Sequence, residues 1–369
     1  MKQPQRHRIS LLSLALLLLS ALAATAQVVA PRPAEDHAFL WRGFTHEWDT
    51  RNHRIDRLGS WMTMNCDSNG CDGDAHHSAS TGTAVDDADF ITAYTELSTS
   101  SAAIKTGLIQ FPVPGTDGQL SNDIRHIVVT APADMQNRDR YRAFLNGFHL
   151  ERLSGESKKL DRLKILLKNL EYVNGNLEFD IEWALKMDCP FFTSPECVGG
   201  NDWDYRLQVR FFLIAGDAGE VAFSNSNPQH DYDWDGDIFG GGTEVTLGQV
   251  QMSDTINSTA TATFDHGTVG IRGFQLNLDS DYHMYETAVR VKSIVYSATQ
   301  SDVSYNADAY FAQWQDEMTG LGAYRASGEA VEMELWTALI QLSDAEINGN
   351  WAQGSVNSED DPAEIPVSF

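Results

Sequence analysis

Four aspartates recur at alternate positions in the segment Asp231-Tyr232-Asp233-Trp234-Asp235-Gly236-Asp237. Oxygens spaced in this way, followed by a glycine that permits a sharp turn, let one loop wrap hard ligands around Ca²⁺. Asp231, Asp233, Asp235 and Asp237 are therefore the expected metal ligands. The expected role of the ion is structural, because crowded carboxylates repel one another until a cation joins them. A second candidate loop runs Asp67-Ser68-Asn69-Gly70-Cys71-Asp72-Gly73-Asp74 and offers Asp67, Asn69, Asp72 and Asp74, with His76 and His77 just beyond. A third group is of another kind. Glu178, Asp180 and Glu182 alternate along one strand-like segment. Three carboxylates on one strand face can set a nucleophile and an acid on one side of a sugar ring.

The Asp231 loop resembles the calcium loop shared by EF-hands, dockerins and thrombospondin-type repeats, over about eight residues. It departs from the EF-hand at the twelfth position, where Gly242 replaces the bidentate glutamate; Glu244 lies two residues further on, and the flanks are not helical in pattern. The Glu178-Phe179-Asp180-Ile181-Glu182 segment resembles the strand of laminarinase-type (family 16) glycoside hydrolases. That resemblance implies Glu178 as nucleophile, Asp180 as its partner and Glu182 as acid/base. It covers five residues, and the same alternation describes any half-exposed strand.

Four cysteines form two local pairs, and an exported chain is expected to join them as the disulfides Cys66–Cys71 and Cys189–Cys197. Neither spacing is the two-residue one usual for structural zinc. His53 and His283 each follow an Arg-Gly-Phe by the same interval, and a hydrogen-bonding role at a module edge accounts for both. There is no Gly-x-Ser-x-Gly elbow, no His-Glu-x-x-His, no phosphate loop and no dinucleotide fingerprint.

The elements that must carry these residues read as strands. Leu177-Glu178-Phe179-Asp180-Ile181-Glu182-Trp183 alternates strictly, so Phe179, Ile181 and Trp183 face a core and the carboxylates face away. Asn174-Gly175 just before it predicts a type I′ hairpin turn. Residues 205–214 predict a second strand; residues 157–169 and 309–318 admit either a helix or a strand. Three Gly-Phe pairs, Gly43-Phe44, Gly147-Phe148 and Gly273-Phe274, each precede a Leu-Ile pair, Leu108-Ile109, Leu213-Ile214 and Leu339-Ile340, by 65, 66 and 66 residues. This recurrence predicts an internal repeat. The expected fold is all-β, with tandem β-sandwich (jelly-roll-like) modules over residues 27–115, 124–223 and 244–354 and few helices. An acidic calcium-type linker at 224–243 and an acidic disordered tail at 355–369 complete the expected organisation.

Residues 1–26 read as a secretory signal. Lys2, Arg6 and Arg8 precede a short apolar stretch and the small-residue site Ala24-Thr25-Ala26. No later stretch is apolar for long enough to span a membrane as a helix. The net charge of −26 disfavours nucleic acid as a partner. The expectation is a secreted, extracellular or periplasmic binding protein stabilised by Ca²⁺ rather than an enzyme, with a carbohydrate or cell-surface ligand. Trp41, Trp48, Trp61, Trp203 and Trp234, set among Asp and Asn, are the aromatic faces that could stack on sugar rings. The alternatives are a glycoside hydrolase working through Glu178, Asp180 and Glu182, and a surface or matrix protein with no small ligand.

Overall fold

The computed structural model describes residues 36–48, 55–66, 71–81, 88–155, 157–188, 202–227, 229–232, 244–246, 250–277, 283–314, 331–356 and 363–368. Among these residues strands predominate and there is no helix. No helix of the described residues is long and apolar enough to cross a membrane.

Among the described residues twenty strands build three antiparallel sheets. The first sheet has the order β13 (Glu244–Thr246), β17 (Asp302–Trp314), β16 (His283–Ser297), β1 (Asp36–Trp48), β4 (Ala88–Thr99), β19 (Glu346–Val356), with β14 (Val250–Asn257) also paired to β17. The second runs β20 (Ala363–Ser368), β3 (Cys71–Thr81), β2 (Ile55–Cys66), β7 (Arg140–Ser154), β10 (Asp202–Gly216), β5 (Ala103–Thr116). The third runs β11 (Val221–Ser226), β18 (Val331–Leu342), β15 (His266–Asn277), β8 (Lys159–Val173), β9 (Asn176–Asp188), β6 (Leu120–Thr130), with β12 (Gln229–Tyr232) also on β18.

One pattern recurs in all three sheets. The Gly-Phe strands β1, β7 and β15 each pair on one side with the hairpin β16/β17, β2/β3 or β8/β9, and on the other with β4, β10 or β18. Every sheet therefore draws strands from more than one of the spans expected to be separate modules. The spans are interleaved, so they are not tandem sandwiches that each close on their own pairings. Residues 159–173 and 302–314, which include most of the two ambiguous stretches, are strands β8 and β17. Residues 120–123, which fall between the first two expected modules, already belong to β6, and the tail expected to be disordered supplies β20, which pairs with β3. Both gain ladder hydrogen bonds from strands distant in sequence, which local composition does not report.

Each Gly-Phe pair sits at a β-bulge. The register slips between Trp41 and Gly43, between Leu145 and Gly147, and between Ile271 and Gly273. Gly43 and Gly147 have φ of 115° and 122°, a region only glycine enters without strain. A Cβ on Gly43 would lie 1.9 Å from the Val289 carbonyl oxygen, and one on Gly273 2.3 Å from that of Ile165. The bulges thus let neighbouring backbones close up and keep the following phenylalanine pointing inward. Phe44, Phe148 and Phe274, one from each sheet, are fully buried and meet with ring centroids 5.4 to 6.4 Å apart. Burial of each ring is worth about 1.5–3 kcal/mol, and the mutual edge-on contacts add roughly 0.5–1.5 kcal/mol per pair. A second cluster gathers Leu40, Leu97, Phe144, Phe212, Ile214 and Ile340. There the Phe144 ring fills the space left by Gly270, whose Cβ would come within 2.3 Å of it.

The Leu-Ile pairs split. Leu213 and Leu339 oppose Ala143 and Val269 on the Gly-Phe strands. The residue in the corresponding place, opposite Phe39, is Glu96. Leu108-Ile109 instead lies one strand later, in β5, opposite Arg210 and Val209.

Candidate functional site

Arg42 is the extra residue of the β1 bulge, and bulges commonly re-aim a side chain. Its guanidinium donates to the carbonyls of Tyr94 (3.0 Å), Val291 (3.3 Å) and Asn350 (3.2 Å). It therefore ties β4, β16 and β19 together. Burial lowers it to about 10, which leaves it charged at neutral pH. Above this base lies a cleft of about 520 Å³ between the first sheet and residues 265–268 at the start of β15 in the third. The Tyr296 ring packs over Gly267, where a Cβ would meet it at 2.4 Å, and its hydroxyl donates to the Phe264 carbonyl at 2.8 Å. These contacts fix the wall.

Three features of the lining suit a polar ligand. Thr95 and Thr268 are each buried to 1% exposure, and their hydroxyls have no hydrogen-bond partner among the described residues. A buried hydroxyl without a partner costs on the order of 1–3 kcal/mol, which a small rearrangement that opens it to a ligand or water in the cleft would recover. Asp265, His266 and Lys292 bring donors and acceptors to the rim. Burial, followed by the nearby Arg290, lowers the Lys292 ammonium. Finally, Trp351 is 66% exposed at the same cleft. A large aromatic left this open is a natural stacking face.

Three of the five tryptophans singled out by sequence lie elsewhere. Trp41, Trp61 and Trp203 are core residues, buried to 5% exposure or less, because β1, β2 and β10 turn them inward. Trp48 closes β1, and Trp234 lies outside the described residues.

Glu178, Asp180 and Glu182 do share one face of β9, opposite buried Phe179, Ile181 and Trp183. The Asn174-Gly175 turn that leads into this strand has positive φ at both residues, 49° and 89°. The carboxylates are tied to neighbouring strands. His126 on β6 donates from Nδ1 to Asp180 at 2.9 Å and stands 3.4 Å from Glu178. Asn169 also donates to Asp180, at 3.0 Å. Glu182 accepts from Lys164 at 2.6 Å and from Lys168. The hydrogen bond to Asp180 raises His126, and the bonds from His126 and Asn169 lower Asp180. Burial pushes Glu182 up, but the two lysines outweigh it and hold the carboxyl below its ordinary value. A general acid at neutral pH needs the opposite shift, so this environment works against an acid/base role for Glu182.

Asp231 lies in β12, its backbone opposite Glu332, while Asp233, Asp235 and Asp237 lie outside the described residues. Of the second loop, Asp67 and Asn69 also lie outside, whereas Asp72 and Asp74 belong to β3. The two histidines beyond it part company. His76 stacks on Trp61 and bonds Thr63 at 2.6 Å, while His77 turns to His46 and Phe90. They occupy opposite faces of the strand, so they cannot jointly extend that loop as ligands. Among the described residues no three His, Cys, Asp or Glu side chains gather to hold a metal. Cys66 and Cys71 are register partners at the end of the β2/β3 hairpin; Cys189, Cys197 and His53 lie outside the described residues, and His283 opens β16.

The interior holds a feature the sequence reading missed. His46 and His77 are fully buried, with Nδ1 of one 3.1 Å from Nε2 of the other, and the His77 ring stacks on Phe90 at 4.3 Å. Burial drops His46 to about 3, and burial followed by His46 itself pushes His77 well below its ordinary value, so both are neutral. The corresponding register places hold Leu150 and Trp183 in one span and Leu276 and Ala309 in the other. No known family model, curated protein or solved structure matches the chain.

Proposed function

We propose that the chain is an exported binding protein whose Trp351 cleft takes a carbohydrate. The observation that carries this reading is the pairing, in a single cleft, of one widely exposed tryptophan with two buried threonine hydroxyls that have no partner among the described residues. A sugar ring offers an apolar face for the indole and hydroxyls that both donate and accept, which matches that lining. Asp265, His266 and Lys292 would set the orientation of the ring by bonding its periphery. Ca²⁺ held by Asp231, Asp233, Asp235 and Asp237, with disulfides at Cys66–Cys71 and Cys189–Cys197, would stabilise the chain outside the cell. The shared strand order of the three sheets supports descent of the spans from one repeated unit.

The test is a glycan array probed with the chain from Gln27 onward in calcium buffer, followed by fluorescence titration of each hit. Trp351→Ala should abolish binding while leaving the unfolding temperature unchanged, and Thr95→Val with Thr268→Val should weaken it. An array without hits, or hits that Trp351→Ala leaves intact, would overturn the assignment.

A further inference from the structure

The third sheet ends on β6, a strand of eleven residues that pairs with β9 without a bulge or register slip. Such an edge is a template for another strand unless proline, lysine, a bulge or short length blunts it. Three other edges among the described residues are blunted. β5 carries Pro112 and Pro114, β20 carries Pro366, and β11 is six residues long. β6 has no proline and no lysine, and it exposes Leu120, Ile124 and Val128 by 43%, 57% and 54% on one face.

The Ile124 amide donates to the carboxylate of Asp123 at 2.8 Å. An amide that uses its neighbour's side chain in this way faces the open side of the strand. Asp123 in turn reaches Arg125 at 3.1 Å. Both side chains are nearly half exposed.

We infer that β6 is a self-association edge, and that its occupant is β6 of a second copy of this chain, antiparallel about a two-fold axis at Ile124. Charge decides the register. Centring on Ile124 sets Asp123 opposite Arg125 of the second copy, and Arg125 opposite its Asp123. Centring one residue earlier or later would oppose two aspartates or two arginines. The same register sets Leu120 against Val128 and Ile124 against Ile124, so the exposed aliphatics cover one another. The Ile124 amides and carbonyls then exchange the paired bonds of an antiparallel ladder, and each Asp123 carboxylate passes from its own backbone to the opposite guanidinium. The product is one continuous sheet across two copies.

Analytical ultracentrifugation of the chain from Gln27 onward, over a range of concentrations at physiological salt, should show a reversible monomer–dimer equilibrium. Asp123→Arg places like charges in opposition at both ends of the contact and should weaken the dimer on the order of tenfold or more. The charge-swapped Asp123→Arg/Arg125→Asp restores complementarity and should restore the dimer. A wild-type chain that stays monomeric at the highest concentration overturns the inference, as does a dimer indifferent to Asp123→Arg or one that the double swap fails to rescue. Unfolding temperatures of both variants, expected to match wild type, separate loss of pairing from loss of fold.

Discussion

Acidification loads one identifiable point of the interior, the His46–His77 pair. Both imidazoles are neutral in the folded chain, His46 down at about 3 and His77 well below its ordinary value because burial penalises the charged form. In the unfolded chain both would titrate near 6.5. The unfolded state therefore binds more protons below that value, and stability must fall with pH there. The contribution is intact above about pH 6.5 and is lost progressively toward the folded-state values. At about pH 5.5 the unfolded chain gains roughly 1.4 kcal/mol at each histidine, or about 3 kcal/mol for the pair. By about pH 4.5 the sum approaches 5–6 kcal/mol, comparable with the whole stability of many domains. Self-repulsion in a chain of net charge −26 relaxes over the same range and acts in the opposite direction, so the wild type alone is a poor reporter. The control is His46→Leu/His77→Ala, which copies the Leu276 and Ala309 found at the corresponding register places. Urea unfolding of both proteins between about pH 7.5 and 5.0 gives two stability curves, and their difference removes the shared carboxylate contribution. The wild type should lose about 3 kcal/mol relative to the double variant by about pH 5.5. Parallel curves would refute the reasoning and would mean that the imidazoles reach water or protonate without breaking the fold.

Two further outcomes follow from the packing and the charge strip. Gly270→Ala drives a methyl into the Phe144 ring and should cost roughly 1–3 kcal/mol, read as a fall in the urea midpoint; Phe144→Leu in the same chain should recover part of it. Lys164→Ala/Lys168→Ala removes both partners of Glu182 and leaves burial unopposed, so an NMR titration should show its carboxyl pKa rising.

Much of the local structure was legible because it depends on neighbours in the chain. The alternation around Phe179, Ile181 and Trp183 assigned the buried face of β9 correctly, and Asn174-Gly175 announced its turn. The Gly-Phe pairs, legible in the sequence only as a recurrence, sit at three bulges, since a close backbone approach at these sites demands glycine. Leu108-Ile109 misled, because a common dipeptide one strand out of place keeps nearly the same interval. Trp351 was passed over in favour of Trp41 and Trp61, because a tryptophan beside polar residues reads alike whether it faces a core or a cleft. The cleft itself was invisible. It joins Arg42, Thr95, Thr268 and Trp351 from four strands of two sheets, and no spacing in the sequence links them.

The sequence by itself determined an all-β chain and the faces of its strands, since each is set by steric and apolar patterns spanning a few residues. Tertiary structure alone decided which strands pair. That choice interleaves the three spans, buries His46 against His77 and gathers the cleft, because ladder hydrogen bonds and apolar contacts between strands far apart in the chain are selected by the packing of the whole core.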